Sequence, residues 1–204
     1  EFFGSFICPW THPLKEAIPY LKTAYQTGEE TGDVYYAALA HCNHIGSLIY
    51  KGEYLNFTKE NLLNFAKFID KHKFKDTRLF FSLYKNFINF LISKDETYVF
   101  NEHKYSNENF FKEITKVKNE NVLSNYYILK LMTLYYTQDF NNILHIAQKS
   151  EELIEYSRGL FQSTEHYFYY SLTITAMYQE FSKEDQAKYL KILKKNLSKF
   201  QAWN

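Results

Sequence analysis

The sequence has few of the residues that turns and cross-links require. Its 204 residues include only 6 glycines, 3 prolines and 2 cysteines. β-Sandwiches and dinucleotide-binding α/β folds need many turn residues, which this composition does not supply. Two cysteines cannot form a disulfide framework, so we expect Cys8 and Cys42 to be reduced thiols of a cytoplasmic protein.

Charge and hydropathy exclude two further classes of partner. The 24 basic and 23 acidic side chains leave a net charge of +1, without the strong positive excess expected of a nucleic-acid-binding protein. The densest apolar run, residues 167–177, is broken by Ser171, Thr173 and Thr175. It is also shorter than the roughly 20 residues of a membrane span. We therefore expect neither nucleic acid nor a membrane as partner. Because the chain begins at Glu1 without a methionine, we expect a segment of a longer protein.

The abundant residues are aromatic and apolar, and they recur at helical spacing. There are 19 tyrosines and 19 phenylalanines. Apolar positions repeating every three or four residues predict helices over 34–51, 76–93 and 121–137, among others. Residues 164–181 are almost entirely apolar, which predicts a central helix. No stretch alternates cleanly between apolar and polar residues, so the predicted fold class is all-α.

Capping residues predict where several helices begin and end. Apolar residues recur at helical spacing until Gly28, where the first long helix is expected to end, and Gly32 with Asp33 is expected to form a break and a cap. The next helix is expected to end at Lys51 and Gly52. Thr58 is predicted to cap the helix that follows Gly52. Ser182, with Asp185 three residues later, resembles a capping box at the start of the last helix.

Pairs of helices joined by short turns predict a helical-hairpin repeat. The clearest unit spans residues 126–154, and a second spans residues 37–69. Both lack most consensus residues of the tetratricopeptide repeat. The predicted architecture is a right-handed stack of antiparallel helical hairpins, a degenerate tetratricopeptide-like array. It forms a single domain over 1–204, with a weak internal break near residues 93–106, where the polar stretch predicts a loop.

Several stretches resemble the helical middle region of very large bacterial signalling proteins. In that family a Ser/Thr-kinase-like domain is followed by a P-loop ATPase, tetratricopeptide-like helices, a GAF domain and a histidine kinase. The most specific stretch is Glu30-Thr31-Gly32-Asp33. The similar segments are residues 12–16, 19–21, 24–28, 30–33, 36–38, 102–105, 129–140, 166–172 and 199–204.

The resemblance implies that the segment acts by binding other domains or proteins. The family's kinase, ATPase and phosphoacceptor motifs lie outside this segment, so none is carried over. The implied function is a non-catalytic scaffold or sensory module of a signal-transduction kinase, bound to neighbouring domains or to a protein or peptide partner. A stand-alone peptide-binding adaptor is the first alternative.

A helical enzyme or metal-binding domain is the second alternative. His41 and His44 lie three residues apart on a predicted helix and could share a metal ion. No further ligand follows at a recognisable spacing, so we predict no metal, no cofactor and no catalytic residue. His166, beside Glu165 at the start of a predicted helix, is expected to cap or pack.

The predicted contact surface is the inner face of the array. In a helical-hairpin stack the first helix of each pair tends to line the concave side. Aromatic packing in the core is the alternative interpretation of the same tyrosines. The candidate contact residues are Tyr36, His44, Tyr84, Asn125, Tyr127 and Lys130.

Overall fold

The computed structural model describes residues 1–93 and 107–203, and these residues are helical with no strand. The all-α prediction is therefore confirmed for the described part of the chain. The predicted loop and internal break near 93–106 fall almost entirely outside it. Ten α-helices are described: α1 (Cys8–Thr11), α2 (Ala17–Thr31), α3 (Val34–Lys51), α4 (Leu55–His72), α5 (Lys75–Ser93), α6 (Asn107–Val117), α7 (Glu120–Thr137), α8 (Phe140–Leu153), α9 (Gln162–Met177) and α10 (Lys183–Ala202).

The helix ends follow the capping residues at most of the predicted places. Gly32 and Gly52 have φ angles of 82° and 75°, a left-handed conformation that ends α2 and α3. The expected end of the first long helix at Gly28 is wrong, because α2 continues to Thr31. Ser182 accepts a hydrogen bond from the backbone N–H of Asp185 at the start of α10, as predicted. The prediction for Thr58 is wrong, because α4 already begins at Leu55 and the Thr58 hydroxyl donates to the carbonyl of Tyr54.

Consecutive helices from α2 to α10 pack against one another, and alternate helices also touch. Helices α3, α5, α7 and α9 contact in that order and form an inner layer. Helix α9 also contacts α3, so the ends of this inner layer meet. The remaining long helices cover the inner layer from outside. The predicted central position of the 164–181 helix is confirmed for α9, which packs against α3, α7, α8 and α10.

The interior between the layers is filled mainly by aromatic and aliphatic side chains. The largest completely buried ones include Phe65, Tyr84, Phe87 and Tyr170. They belong to one continuous core that extends from α3 to α10. Many of the aromatic side chains therefore pack in the core. Their burial stabilises the fold by roughly 25 cal/mol for each Å² of apolar surface removed from water.

The N-terminal segment, residues 1–16, connects the two ends of the fold. The indole N–H of Trp10 donates to the carbonyl of Gly159 at 2.8 Å. The Trp10 ring also packs against Trp203, with centroids 5.3 Å apart. The Asn43 amide of α3 donates to the Glu1 carboxylate and the Ser5 hydroxyl. This closure was not predicted from the sequence.

A close approach between α2 and α3 allows a direct test of the packing at Gly28. A methyl group there would lie 2.9 Å from Cβ of Ala37 and 3.1 Å from the carbonyl oxygen of Asp33. A glycine-to-alanine change inside a helix normally stabilises it by roughly 0.5–1 kcal/mol. Here we expect Gly28→Ala to destabilise the chain by about 1–3 kcal/mol in urea unfolding, because the two helices must move apart.

The control is Thr27→Ala at the exposed neighbouring position, which should change the unfolding free energy by less than about 0.5 kcal/mol. A Gly28→Ala variant as stable as the parent would contradict the close packing of α2 on α3.

Candidate binding cleft

The six predicted contact residues do not share an exposed face. Tyr36 is 54% exposed, but His44, Tyr84, Asn125 and Lys130 are buried. The expectation of an exposed concave face on α3, α5 and α7 is wrong. The physical reason is the contact of α9 with α3, together with the N-terminal segment that lies against α3. A contact role for Tyr36, and for the half-buried Tyr127, stays a prediction.

Two of the buried residues, Tyr84 and Asn125, belong to a polar cluster inside the inner layer. The Tyr50 hydroxyl donates to the side-chain oxygen of Asn125 at 2.9 Å. Burial raises the pKa of Tyr84 and of Tyr50 well above the usual tyrosine value, so both hydroxyls stay protonated. Gly46 leaves room for the Tyr84 hydroxyl, which would lie 2.8 Å from a Cβ at that position. Tyr84 and Asn125 are therefore core residues and not part of an exposed contact surface.

A cleft of about 560 Å³ opens between α2 and α4, with α3 at its floor. Helix α2 contributes Tyr25 and Glu29, and helix α3 contributes His41 and His44. We call this feature the α2–α4 cleft. The two histidines that the sequence analysis considered as metal ligands thus lie together at its floor.

His41 is fixed by ring stacking and by one hydrogen bond. Its ring lies between Tyr25 and Phe65, at centroid distances of 3.8 and 5.0 Å. Its Nε2 lies 2.9 Å from the Glu29 carboxylate. Burial lowers the pKa of His41 despite the opposing effect of Glu29. A neutral imidazole donates Nε2–H to Glu29, so that carboxylate already has a partner.

His44 is the buried polar group at the floor of the cleft that has no partner. It is only 3% exposed, and it forms no hydrogen bond with any residue that the structure describes. Its ring meets the edge of Tyr25 at 5.5 Å. Burial, with smaller effects of His41 and Lys22, lowers the pKa of His44 to about 4. The ring is therefore neutral near pH 7, with one nitrogen able to donate and the other to accept a hydrogen bond.

The wall formed by α4 is polar and basic. Asn61, Asn64, Lys67 and Lys71 follow one another at intervals of three or four residues, which places them along one helix face. Within the described ranges, neither lysine forms an ion pair. Phe68 lies among them and supplies an apolar surface. This spacing is readable in the sequence, but only the fold shows that the face lines a cleft.

The metal-binding alternative finds no further support in this cleft. Across residues 1–93 and 107–203, no group of three or more histidine, cysteine, aspartate or glutamate side chains is placed to hold a metal ion. His41 is engaged with Glu29, and the described part of the chain adds no other ligand to His44.

His166 belongs to a buried chain of hydrogen bonds between α8, α9 and α10. The Ser150 hydroxyl lies 2.8 Å from Nδ1 of His166, and Nε2 of His166 lies 2.7 Å from the Glu151 carboxylate. Lys195 binds the other oxygen of that carboxylate. The hydrogen bond from His166 and the contact with Lys195 lower the pKa of Glu151 to about 2, whereas burial lowers the pKa of His166. Neutral His166 thus donates to Glu151 and accepts from Ser150.

Serine, histidine and glutamate also form the catalytic triad of many hydrolases, but this set is closed to a substrate. Ser150 and His166 are both 0% exposed. A nucleophilic oxygen must contact the reacting carbonyl group. The arrangement therefore packs the helices together, in agreement with the expected packing role of His166. Ser150 and Glu151 were missed because they lie 16 and 15 residues away, across the α8–α9 connection.

A second cleft, of about 700 Å³, lies where the N-terminal segment meets α9 and α10. Trp10, Tyr167 and Trp203 give it an aromatic surface, and Arg158 and Lys199 lie at its edge. The Lys199 ammonium group lies 4.7 Å from the centre of the Tyr167 ring. Both tryptophans of the chain are therefore at this junction.

Comparison of the chain with protein-family models, with curated proteins and with solved structures found no match. Among the described helices, none is long and apolar enough to cross a membrane. Functional inference therefore rests on the two clefts, on the packing, and on the sequence resemblance.

Glu165 gives the structure a testable pH dependence. This carboxyl group lies in the first turn of α9 and has no hydrogen bond or ion pair among the described residues. Burial raises its pKa from 4.5 to about 7. The folded protein therefore holds this proton more tightly than the unfolded chain, and stability falls as the pH rises from about 4.5 to 7. We expect Glu165→Gln to be neutral at pH 4 but stabilising at pH 8, by up to about 3 kcal/mol in urea unfolding.

The matched control is Glu60→Gln on the exposed face of α4, which should change stability by less than about 0.5 kcal/mol at both pH values. If Glu165→Gln has equal effects at pH 4 and pH 8, the carboxyl group is not buried as described.

Proposed function

We propose that this chain is a non-catalytic helical module of a bacterial signal-transduction kinase, which acts in the cytoplasm through contacts with neighbouring domains or a protein partner. The observation that carries the proposal is the repeated packing of α2 to α10, in which each helix packs on the next and alternate helices touch. This pattern is typical of tandem helical hairpins. It agrees with the sequence resemblance to the tetratricopeptide-like region of such kinases.

The finer architecture belongs to the same proposal. Short connections between α2, α3, α4 and α5 favour antiparallel neighbours, as in a right-handed stack of degenerate tetratricopeptide-like hairpins. In an open solenoid each repeat contacts only its neighbours, whereas here α9 also contacts α3. The concave face is thereby occupied, so contacts with other domains must use the outer surface.

The outer surface offers aromatic side chains for such contacts. Tyr35, Tyr36, Tyr54 and Phe57 are exposed on or beside α3 and α4. Exposed aromatic side chains of this kind are enriched at protein interfaces. The buried state of Ser150 and His166 supports a non-catalytic role, because the most triad-like group of the described residues has no access for a substrate.

A stand-alone peptide-binding adaptor is the second candidate. The observation that favours it is the aromatic cleft at Trp10, Tyr167 and Trp203, which has the size and composition of a binding groove. The two candidates differ in what the gene encodes on either side of this segment.

The test begins with the complete reading frame, which should encode kinase-like and ATPase domains before the segment and a GAF domain and histidine kinase after it. In that full-length protein we expect Tyr36→Ala to change autophosphorylation, measured by phosphate transfer from radiolabelled ATP, by at least about threefold. Its helix content should be unchanged, because the side chain is 54% exposed.

The control is Tyr156→Ala, which removes an equally exposed tyrosine from the α8–α9 connection and should leave autophosphorylation unchanged. A reading frame without these domains would refute the signalling role and favour the adaptor. Unchanged autophosphorylation in both Tyr36→Ala and Tyr127→Ala would refute contacts through α3 and α7.

A further inference from the structure

The α2–α4 cleft has the dimensions of a small-molecule site. Its volume of about 560 Å³ lies within the roughly 300–1,000 Å³ of typical ligand pockets. Its walls come from α2 and α4, which both pack on α3. Helix α3 is held in turn by α5 and α9, so the floor is rigid. Such a preformed cleft lowers the entropy lost when a ligand binds.

The charge of the cleft favours an anion. Lys67 and Lys71 line it and form no ion pair with any described residue. Lys22 is close enough to affect the titration of His44. The carboxylate in the lining, Glu29, is already bound to His41. Neutral His41 only donates a hydrogen bond, so Glu29 keeps its negative charge. The two lysines outweigh this single carboxylate, so the lining is net positive, and carboxylates or phosphates are the groups that lysine ammonium groups bind.

The floor of the cleft favours a planar ring. Tyr25 stacks on His41 and meets His44 edge-on. Phe68 of the opposite wall lies 5.1 Å from the His41 ring, between centroids. Aromatic surfaces on both sides of a cleft can hold a flat ring by stacked and edge-to-face contacts. A highly hydrated inorganic anion would make no such ring contacts.

His44 can form a hydrogen bond with a polar substituent on that ring. It lines the cleft, is buried, and has no hydrogen bond within residues 1–93 and 107–203. Its ring nitrogens are not fully enclosed, so a group bound in the cleft can reach them. A hydroxyl or carbonyl group on the ligand can satisfy the neutral imidazole while the anionic group binds Lys67 and Lys71.

We propose that the α2–α4 cleft is a binding site for a small aromatic anion. Lys67 and Lys71 bind its carboxylate or phosphate. Tyr25 and Phe68 contact its ring, and His44 binds a polar substituent on the ring. This inference does not rest on the proposed signalling function, because it concerns only the cleft of this chain.

The test is isothermal titration calorimetry of the chain with 4-hydroxybenzoate, and with its neutral isostere 4-hydroxybenzamide. We expect 4-hydroxybenzoate to bind at least about tenfold more tightly than the amide, because only the acid carries the anionic group. Its affinity should fall as sodium chloride is raised, since salt screens the lysine charges. Phenyl phosphate and inorganic phosphate distinguish a phosphate ligand from a carboxylate ligand and from anion binding alone.

The variant Lys67→Gln/Lys71→Gln should bind 4-hydroxybenzoate at least about tenfold more weakly, with unchanged helix content, because both side chains are exposed. The control Lys59→Gln alters an exposed lysine of the same helix outside the cleft lining and should bind as the parent does. His44→Phe should bind 4-hydroxybenzoate and benzoate equally, whereas the parent should prefer the hydroxylated acid.

Four results would overturn the proposal. The first is an amide that binds as tightly as the acid. The second is a double lysine variant that binds as the parent does. The third is binding of inorganic phosphate as tight as that of both aromatic anions. The fourth is no binding of either aromatic anion at millimolar concentration.

Discussion

Helix α3 packs against α2, α4, α5 and α9, and its contact with α9 brings the two ends of the inner layer together. Ala37, Ala38, Ala40 and Gly46 keep the surface of α3 small enough for close neighbours. Small side chains at a helix interface allow backbones to approach closely, as Gly28 does from α2. With α9 against α3, the inner face of the hairpins becomes a core instead of a groove.

The contact of α9 with α3 decides which polar groups a ligand can reach and which only stabilise the fold. Inside the inner layer, Tyr50 donates a hydrogen bond to the Asn125 side-chain oxygen, and burial keeps Tyr50 and Tyr84 protonated. The amide nitrogen of Asn125 is buried without a hydrogen bond to any described residue. Ser150, His166 and Glu151 form hydrogen bonds with one another between the outer and inner helices. In the α2–α4 cleft, His44 forms no hydrogen bond with any described residue, and Lys67 and Lys71 form no ion pair within the described ranges. Ligand binding is therefore expected between the outer helices.

The sequence predicted the helices well, because their spacing is a local property. The predicted ranges 34–51, 76–93 and 121–137 agree to within one residue with α3, α5 and α7. The candidate site could not be predicted in the same way. Trp10 and Gly159, which join the ends of the fold, are 149 residues apart. The α2–α4 cleft combines three helices, so its floor at His44 and its wall at Lys67 become neighbours only after packing.

The two free thiols allow a direct test of how firmly the N-terminal segment packs on the rest of the fold. Cys8 belongs to the N-terminal segment and is 1% exposed, while Cys42 lies on α3 and is 3% exposed. Each thiol can be followed alone, in Cys42→Ala and Cys8→Ala variants, by its reaction with 4,4′-dithiodipyridine under native conditions. If the segment is part of one cooperative core, both thiols should show the same opening free energy, equal to that of global unfolding in urea. Rapid modification of Cys8 while Cys42 stays protected would show that the segment detaches on its own, and would contradict the closed arrangement.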